Sequence, residues 1–309
     1  MRADLRVGLV FALAMTAPSA ASAFCRTTTV PVPADFSPAG GSCFTQGEPL
    51  YHPSQCVTFK VATAAMNVIG ANVIADTFAR AFATWTAPND RCLPGISVVQ
   101  VGTVEGPVQV GYTANAPGSN ANVIGFVQGP WPHGEGNDTL ALTTVTFRSD
   151  DGRILDADTE INRDVSWSAT RPVGATEYDF GTAMLHEAGH FLGLAHSATP
   201  DSAMFASYTV GTSRTTLDDD DLAGICAIYP SRDARATRTG QVASTACQLA
   251  SDTGSNASSC GEPTLVHGCS IASPPHPETN DGAWWASALA VTLGAFAAAR
   301  LRTRRFARK

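Results

Sequence analysis

Residues 186–196 read HEAGHFLGLAH, and this spacing constrains the chain more than any other feature. His186 and His190 are four residues apart, so a helix sets them one turn apart on one face, where both imidazoles reach a single metal ion. Gly193 is able to take the left-handed conformation that ends a helix, turning the chain so that His196 arrives from another direction as a third ligand. Three neutral imidazoles leave the fourth tetrahedral position of Zn²⁺ for water, which marks a catalytic site rather than a closed structural one. Glu187, next to the first ligand but projecting differently, is placed to hold that water and take its proton.

The rest of the chain supplies a domain around this motif. With 44% hydrophobic and 15% charged residues, a buried core is attainable and wholesale disorder is excluded. Val57–Val61 alternates like a strand, and Ala71–Trp85 follows with Val73, Ile74, Phe78, Ala81, Phe82 and Trp85 at helical spacing, one apolar face to lay on a sheet. Further strand-like runs are Ile96–Val101, Val108–Tyr112, Val123–Val127, Leu140–Phe147 and Ile154–Ile161, punctuated by Gly, Pro and Asn. Strand, helix, several strands and a motif-bearing helix predict an α+β domain: a twisted mixed sheet with an active-site helix and a C-terminal helix.

The two ends differ from the middle. The formal charge is −7, but setting aside the charged residues at 2–6 and 300–309 leaves 26 acids against 12 bases, an acidic body that argues against binding nucleic acid. Residues 1–23 carry Arg2 and Arg6, an apolar run from Val7 to Ala17 and then Ala21-Ser22-Ala23, the pattern of a secretory signal with the mature chain starting at Phe24. Eight cysteines without a close CxxC pair agree, pointing to disulfides in an oxidising compartment. Cys25, Cys43, Cys56 and Cys92 allow three pairings, and Cys226 pairs with the later segment or is a buried thiol. Residues 24–50 read as an N-terminal arm, 51–230 as the catalytic domain, and 231–282, rich in Ser, Thr, Ala, Gly and Pro, as a stalk. Residues 283–299 are uncharged, open on Trp284-Trp285 and precede a basic tail at 300–309, which is the layout of a transmembrane or sorting helix with a cytoplasmic end. The expected location is therefore the cell envelope or surface, anchored at the C-terminus or released.

The motif together with Met204, eight residues after His196 in Ser202-Ala203-Met204-Phe205, resembles the metzincin clan of zinc endopeptidases, in which such a methionine forms an apolar base beneath the metal. Ser197, the residue after the third histidine, is the matrixin choice, and Leu217–Tyr229 is similar to the matrixins' L-x-x-D-D-I-x-G-I-x-x-L-Y helix. The resemblance covers roughly 50–230 and implies one catalytic zinc on His186, His190 and His196, with Glu187 activating water to hydrolyse a protein or peptide substrate. The chain is expected to be monomeric and to meet a membrane through its C-terminal helix. A catalytically silent, zinc-containing surface-binding module is the rival reading.

The resemblance also marks departures. Vertebrate-type matrixins hold a second zinc on additional histidines, whereas only His52 and His133 remain here. No PRCGxPD latency motif precedes the domain; Asp90–Gly95 is faintly similar but lies inside it, and Cys92 is expected in a disulfide. The run Asp218–Asp221 is expected to cap its helix, and 150–158 to form a solvated turn, with Ca²⁺ the alternative in both places. In metzincins an edge strand rims the cleft, and Ile154–Ile161 is the strand expected to do so here. Finally, the segment around Cys269 with the span and arginines resembles the C-terminal sorting tails of myxobacteria.

Overall fold

A computed structural model describes residues 24–230 apart from 34–35, 37, 39–41, 65–67, 116–119 and 134–138, and beyond them the backbone of 236–237, 240–241 and 288–294. In chain order the elements are β1 (Cys56–Ala62), α1 (Ala71–Thr86), β2 (Ser97–Val104), β3 (Asn122–Phe126), β4 (Thr139–Phe147), β5 (Ile154–Ile161), the two-residue strands β6 (Trp167–Ser168) and β7 (Tyr178–Asp179), α2 (Phe180–Phe191) and α3 (Asp219–Ile228). Three short strands follow: β8 (Ala236–Thr237), β9 (Gly240–Gln241) and β10 (Ala288–Gly294).

The central sheet runs β2-β1-β3-β5-β4, parallel except for β4, with β10 antiparallel on the outer side of β4. This is the expected α+β arrangement. Helices α1 and α2 lie on one face, and the reason is the apolar spacing of α1, which buries Ala71, Ile74, Phe78, Ala81, Phe82 and Trp85. Val73, expected on that face, is 39% exposed, because the stripe is narrower than the sequence suggested. Phe59 of β1, Phe78 and Phe82 of α1 and Phe191 of α2 form a chain of ring contacts at 4.9–5.9 Å between successive partners Phe59–Phe82, Phe78–Phe82 and Phe82–Phe191. Trp85 donates its indole N–H to the Leu185 carbonyl at 2.8 Å, joining α1 to α2.

Several expectations change. Val108–Tyr112 is not a strand, since the backbone N–H of Gly111 bonds to a side chain, Asp158 Oδ2 at 2.8 Å, instead of a ladder. Ile154–Ile161 is not the rim, because β5 is paired on both sides, by β3 and β4, and has no free edge. Asp156 and Asp158 leave the expected solvated turn and are buried within β5, while Asp150 and Asp151 do occupy a turn, paired with Arg148 and Arg153. Of residues 283–299, only 288–294 are described, and they form a strand, with Val291 opposite Thr143, rather than the expected helix. The outer side of β4 offers an unpaired row of backbone groups, which an added strand satisfies. Among the described residues no helix is long and apolar enough to cross a membrane. The signal sequence at 1–23 and the tail around Cys269 lie outside the described residues.

Cys25 pairs with Cys43 and Cys92 with Cys226, so Cys92 has its expected disulfide role and Cys226 joins the domain core rather than the later segment. Cys56 is disulfide-bonded as well.

Asp158 fastens the sheet to the loop above it, accepting Val123 N–H at Oδ1 and Gly111 N–H at Oδ2, both at 2.8 Å. Burial, and the neighbouring Asp156 to which it is hydrogen-bonded, make this pair retain a proton up to about pH 9. Because the folded chain holds that proton and the unfolded chain releases it near the ordinary carboxylate value of about 4, the stabilising contribution is complete below about pH 4 and is lost as pH rises through about 9. Asp156→Asn should therefore flatten the decline of thermal stability between pH 5 and pH 9, by at most about 1.4 kcal/mol per pH unit. Melting curves of wild type and variant at several pH values check this, and parallel declines would refute it.

Candidate metal centre

Helix α2 starts where Asp179 caps it, accepting Gly181 N–H at 2.9 Å and the Thr182 hydroxyl at 3.1 Å, with Arg171 pairing the same carboxylate at 2.9 Å. Its last two turns carry His186, Glu187 and His190, all buried. The helix ends at Gly193, whose φ of +94° is the left-handed conformation expected of it; a Cβ there would lie 2.9 Å from the Leu50 carbonyl oxygen. The turn brings His196 back, and the ring centroids of the three histidines are 4.5–5.2 Å apart.

The imidazoles are oriented from behind. His186 Nδ1 lies 2.7 Å from the Ala203 carbonyl and His190 Nδ1 lies 2.9 Å from the Leu194 carbonyl. A carbonyl only accepts, so each Nδ1 carries the proton and each Nε2 presents a lone pair. Nε2 of His186, His190 and His196 are all buried and have no partner among the described residues. The ligand atoms of the three histidines lie within 4.8 Å of one another. Burial, followed by mutual repulsion with its neighbours, drives His186 well below its ordinary value, and burial takes His190 to about 3 and His196 to about 4. Three neutral, convergent nitrogen donors fit a tetrahedral zinc ion with one position left open.

Glu187 is buried and burial raises its pKa to about 8. Its Oε2 accepts the Thr143 hydroxyl at 2.5 Å, while Oε1 has no partner among the described residues.

Met204 is buried and packs against α2 at Gly189, where an added Cβ would collide with the methionine sulfur and lie 2.8 Å from the Trp85 ring. The chain from His196 to Met204 closes on itself through Ser197 N–H to the Met204 carbonyl at 2.9 Å. Helix α3 holds this turn from below. Asp221 accepts the Ser202 hydroxyl at 2.6 Å, Ala203 N–H at 2.7 Å and Met204 N–H at 3.3 Å, and Asp220 accepts the Ser197 hydroxyl at 2.5 Å. Asp218 caps the helix in a reciprocal box with Asp221. The capping role expected for these aspartates is present, and the grip on the methionine turn was not anticipated.

Two further supports escape the sequence reading. The N-terminal arm clamps the loop between the second and third histidines: Ala195 N–H bonds to the Cys25 carbonyl at 2.9 Å, and Thr27 N–H to the Gly193 carbonyl at 3.0 Å. The Thr27 hydroxyl also reaches Leu194 O at 3.0 Å, the oxygen that orients His190. Thr143 and Thr159, inside β4 and β5, back Glu187. Neither carries a local signal, because the contacts span 167 and 44 residues. Elsewhere, His52 Nε2 lies 2.9 Å from the Phe191 carbonyl and His133 lies 2.7 Å from Glu160.

A mixed sheet, an active-site helix, three histidines and a methionine turn define a metzincin-like metallopeptidase fold. The matrixin profile of peptidase family M10 matches residues 51–230, more than half of the chain, and the chain belongs to the matrixin family. Among curated relatives, it is 28% identical to the metalloendoproteinase 4-MMP of Arabidopsis thaliana, over 34% of this chain and 30% of that protein. It is 35% identical to the neutrophil collagenase of Homo sapiens over 25% of this chain and 16% of that protein, and 35% identical to the Arabidopsis thaliana metalloendoproteinase 2-MMP over 34% and 28%. The matched segments thus span less than a third of these relatives.

Proposed function

We propose that this chain is an exported zinc endopeptidase with its catalytic unit at 51–230, buttressed by the arm at 24–50. The observation that carries this reading is the convergence of three buried Nε2 atoms without a partner among the described residues, together with the likewise buried and unpartnered Oε1 of Glu187, the residue next to His186 on α2. His186, His190 and His196 would hold the zinc ion, with Met204 as an apolar floor. When bound, zinc supplies Lewis-acid polarisation of a scissile carbonyl and lowers the pKa of water. Glu187 takes the proton from the attacking water at Oε1 and hands it to the departing amine. The hydrogen bonds on His186 and His190 Nδ1 keep both rings aimed throughout. Export is supported by the two disulfides in the described domain, which persist in oxidising surroundings.

Casein incubated with the purified protein should be cleaved, cleavage should stop with 1,10-phenanthroline, and added zinc should restore it. No chelator-sensitive cleavage of casein or of a mixed peptide library would overturn the endopeptidase reading in favour of a silent binding module.

A further inference from the structure

The two oxygens of the Glu187 carboxylate have different surroundings. Oε2 receives the Thr143 hydroxyl at 2.5 Å, whereas Oε1 is buried without a partner among the described residues. Thr143 is fully buried on β4, opposite the equally buried Thr159 on β5, and their hydroxyl oxygens are 3.0 Å apart. A hydroxyl has one proton to donate. Toward an ionised Glu187 carboxylate Thr143 directs its proton, and the contact between the two threonines is then donated by Thr159; the Thr143 oxygen also lies 3.4 Å from the Glu187 backbone carbonyl. The result is a relay of fixed polarity, from Thr159 to Thr143 to Glu187, in which each donor is strengthened by the one behind it.

We propose that Thr143, backed by Thr159, is a positioning residue for the base: it anchors Oε2 so that Oε1 alone is presented to the three imidazoles. This rests on the reading of Glu187 as the base and extends it. The proton taken from water lands on Oε1, and Oε2 keeps its hydrogen bond from Thr143 before and after that transfer. The carboxyl group therefore does not turn between taking the proton and releasing it to the amine. The anchor sits in the middle of a strand paired on both sides, which holds it more firmly than a loop would.

The test uses the full zinc-loaded chain. Thr143→Val keeps the shape of the side chain and removes the hydroxyl. Its kcat should fall about 10- to 100-fold, the worth of a hydrogen bond to a charged group, with KM nearly unchanged. Zinc content should match wild type, Tm should fall by no more than the few degrees that the unpaired buried groups cost, Thr143→Ser should restore most of the rate and the Tm, and Thr159→Val should cause a smaller loss of rate. A second readout needs no turnover: acetohydroxamic acid chelates zinc and offers its N–O–H proton to the base. Calorimetry should show weaker binding to Thr143→Val, recovery in Thr143→Ser, and no effect of Thr143→Val when Glu187 is already Ala. Wild-type kcat and hydroxamate affinity in Thr143→Val overturn the proposal. So does a loss that comes with lost zinc or lowered Tm and is not recovered by Thr143→Ser. Full activity in Glu187→Ala alone would instead remove the base itself, a failure distinct from that of the relay.

Discussion

Replacing Glu187 with Ala should reduce peptide hydrolysis by between about 10²- and 10⁴-fold, the usual contribution of a positioned general base, while zinc stays bound to the three histidines. Stability should move the other way. The carboxylate is buried, and burial raises its pKa to about 8, so the folded chain carries a desolvated acid whose side-chain donor among the described residues is Thr143. Removing it relieves that cost, and the Tm of the variant should equal or exceed that of wild type. Opposite movements of activity and stability are the mark of a group held in place for chemistry. The paired measurement is a peptidase assay with zinc quantification and a melting curve. A variant with full activity would sink the assignment of Glu187, and one that lost zinc would show the residue to be part of the metal cradle instead.

The second large effect is expected far from the reacting atoms. Asp221→Ala should destabilise the domain by about 3–5 kcal/mol, because the Ser202 hydroxyl and the Ala203 and Asp218 N–H groups lose their acceptor together, while Met204 N–H keeps Ser202 Oγ at 2.9 Å. For a domain of this size that is a fall in Tm of roughly 10 °C. Zinc should also dissociate faster, since Ala203 supplies the carbonyl that orients His186. Asp219→Ala, at an exposed position of the same acidic run, should leave both properties nearly unchanged. Equal effects at the two positions would mean that negative charge at the start of α3, rather than the grip on the methionine turn, accounts for the loss.

The difference between these two residues shows how far the sequence could be read. Glu187 and its neighbouring histidines were legible because their geometry is local: a helix places residues four apart on one face whatever surrounds it. Gly193 was legible for the same reason, as one residue whose backbone freedom decides where the helix stops. Asp221 was read only as a cap, since its second partner, the turn at Ser202–Met204, lies in another part of the chain. Thr143 was merely one threonine in a strand-like run. Its role appears only when β4 is laid against α2, a contact across 44 residues. The expected rim strand failed on the same ground, because hydrophobic alternation identifies a strand without stating which neighbours pair with it.

By itself, therefore, the sequence determined the α+β class, the helix that carries His186 and His190, the third histidine beyond its end and the family. Those rest on periodicity and fixed spacing within a few turns of chain. The tertiary structure alone decided the strand order, the Cys25–Cys43 and Cys92–Cys226 pairings, the strand rather than helix at Ala288–Gly294, and the hydrogen bonds that hold the base and the histidines in place. Each of these depends on which distant segments come into contact, and such contacts are set by packing of the whole core, which no local pattern encodes.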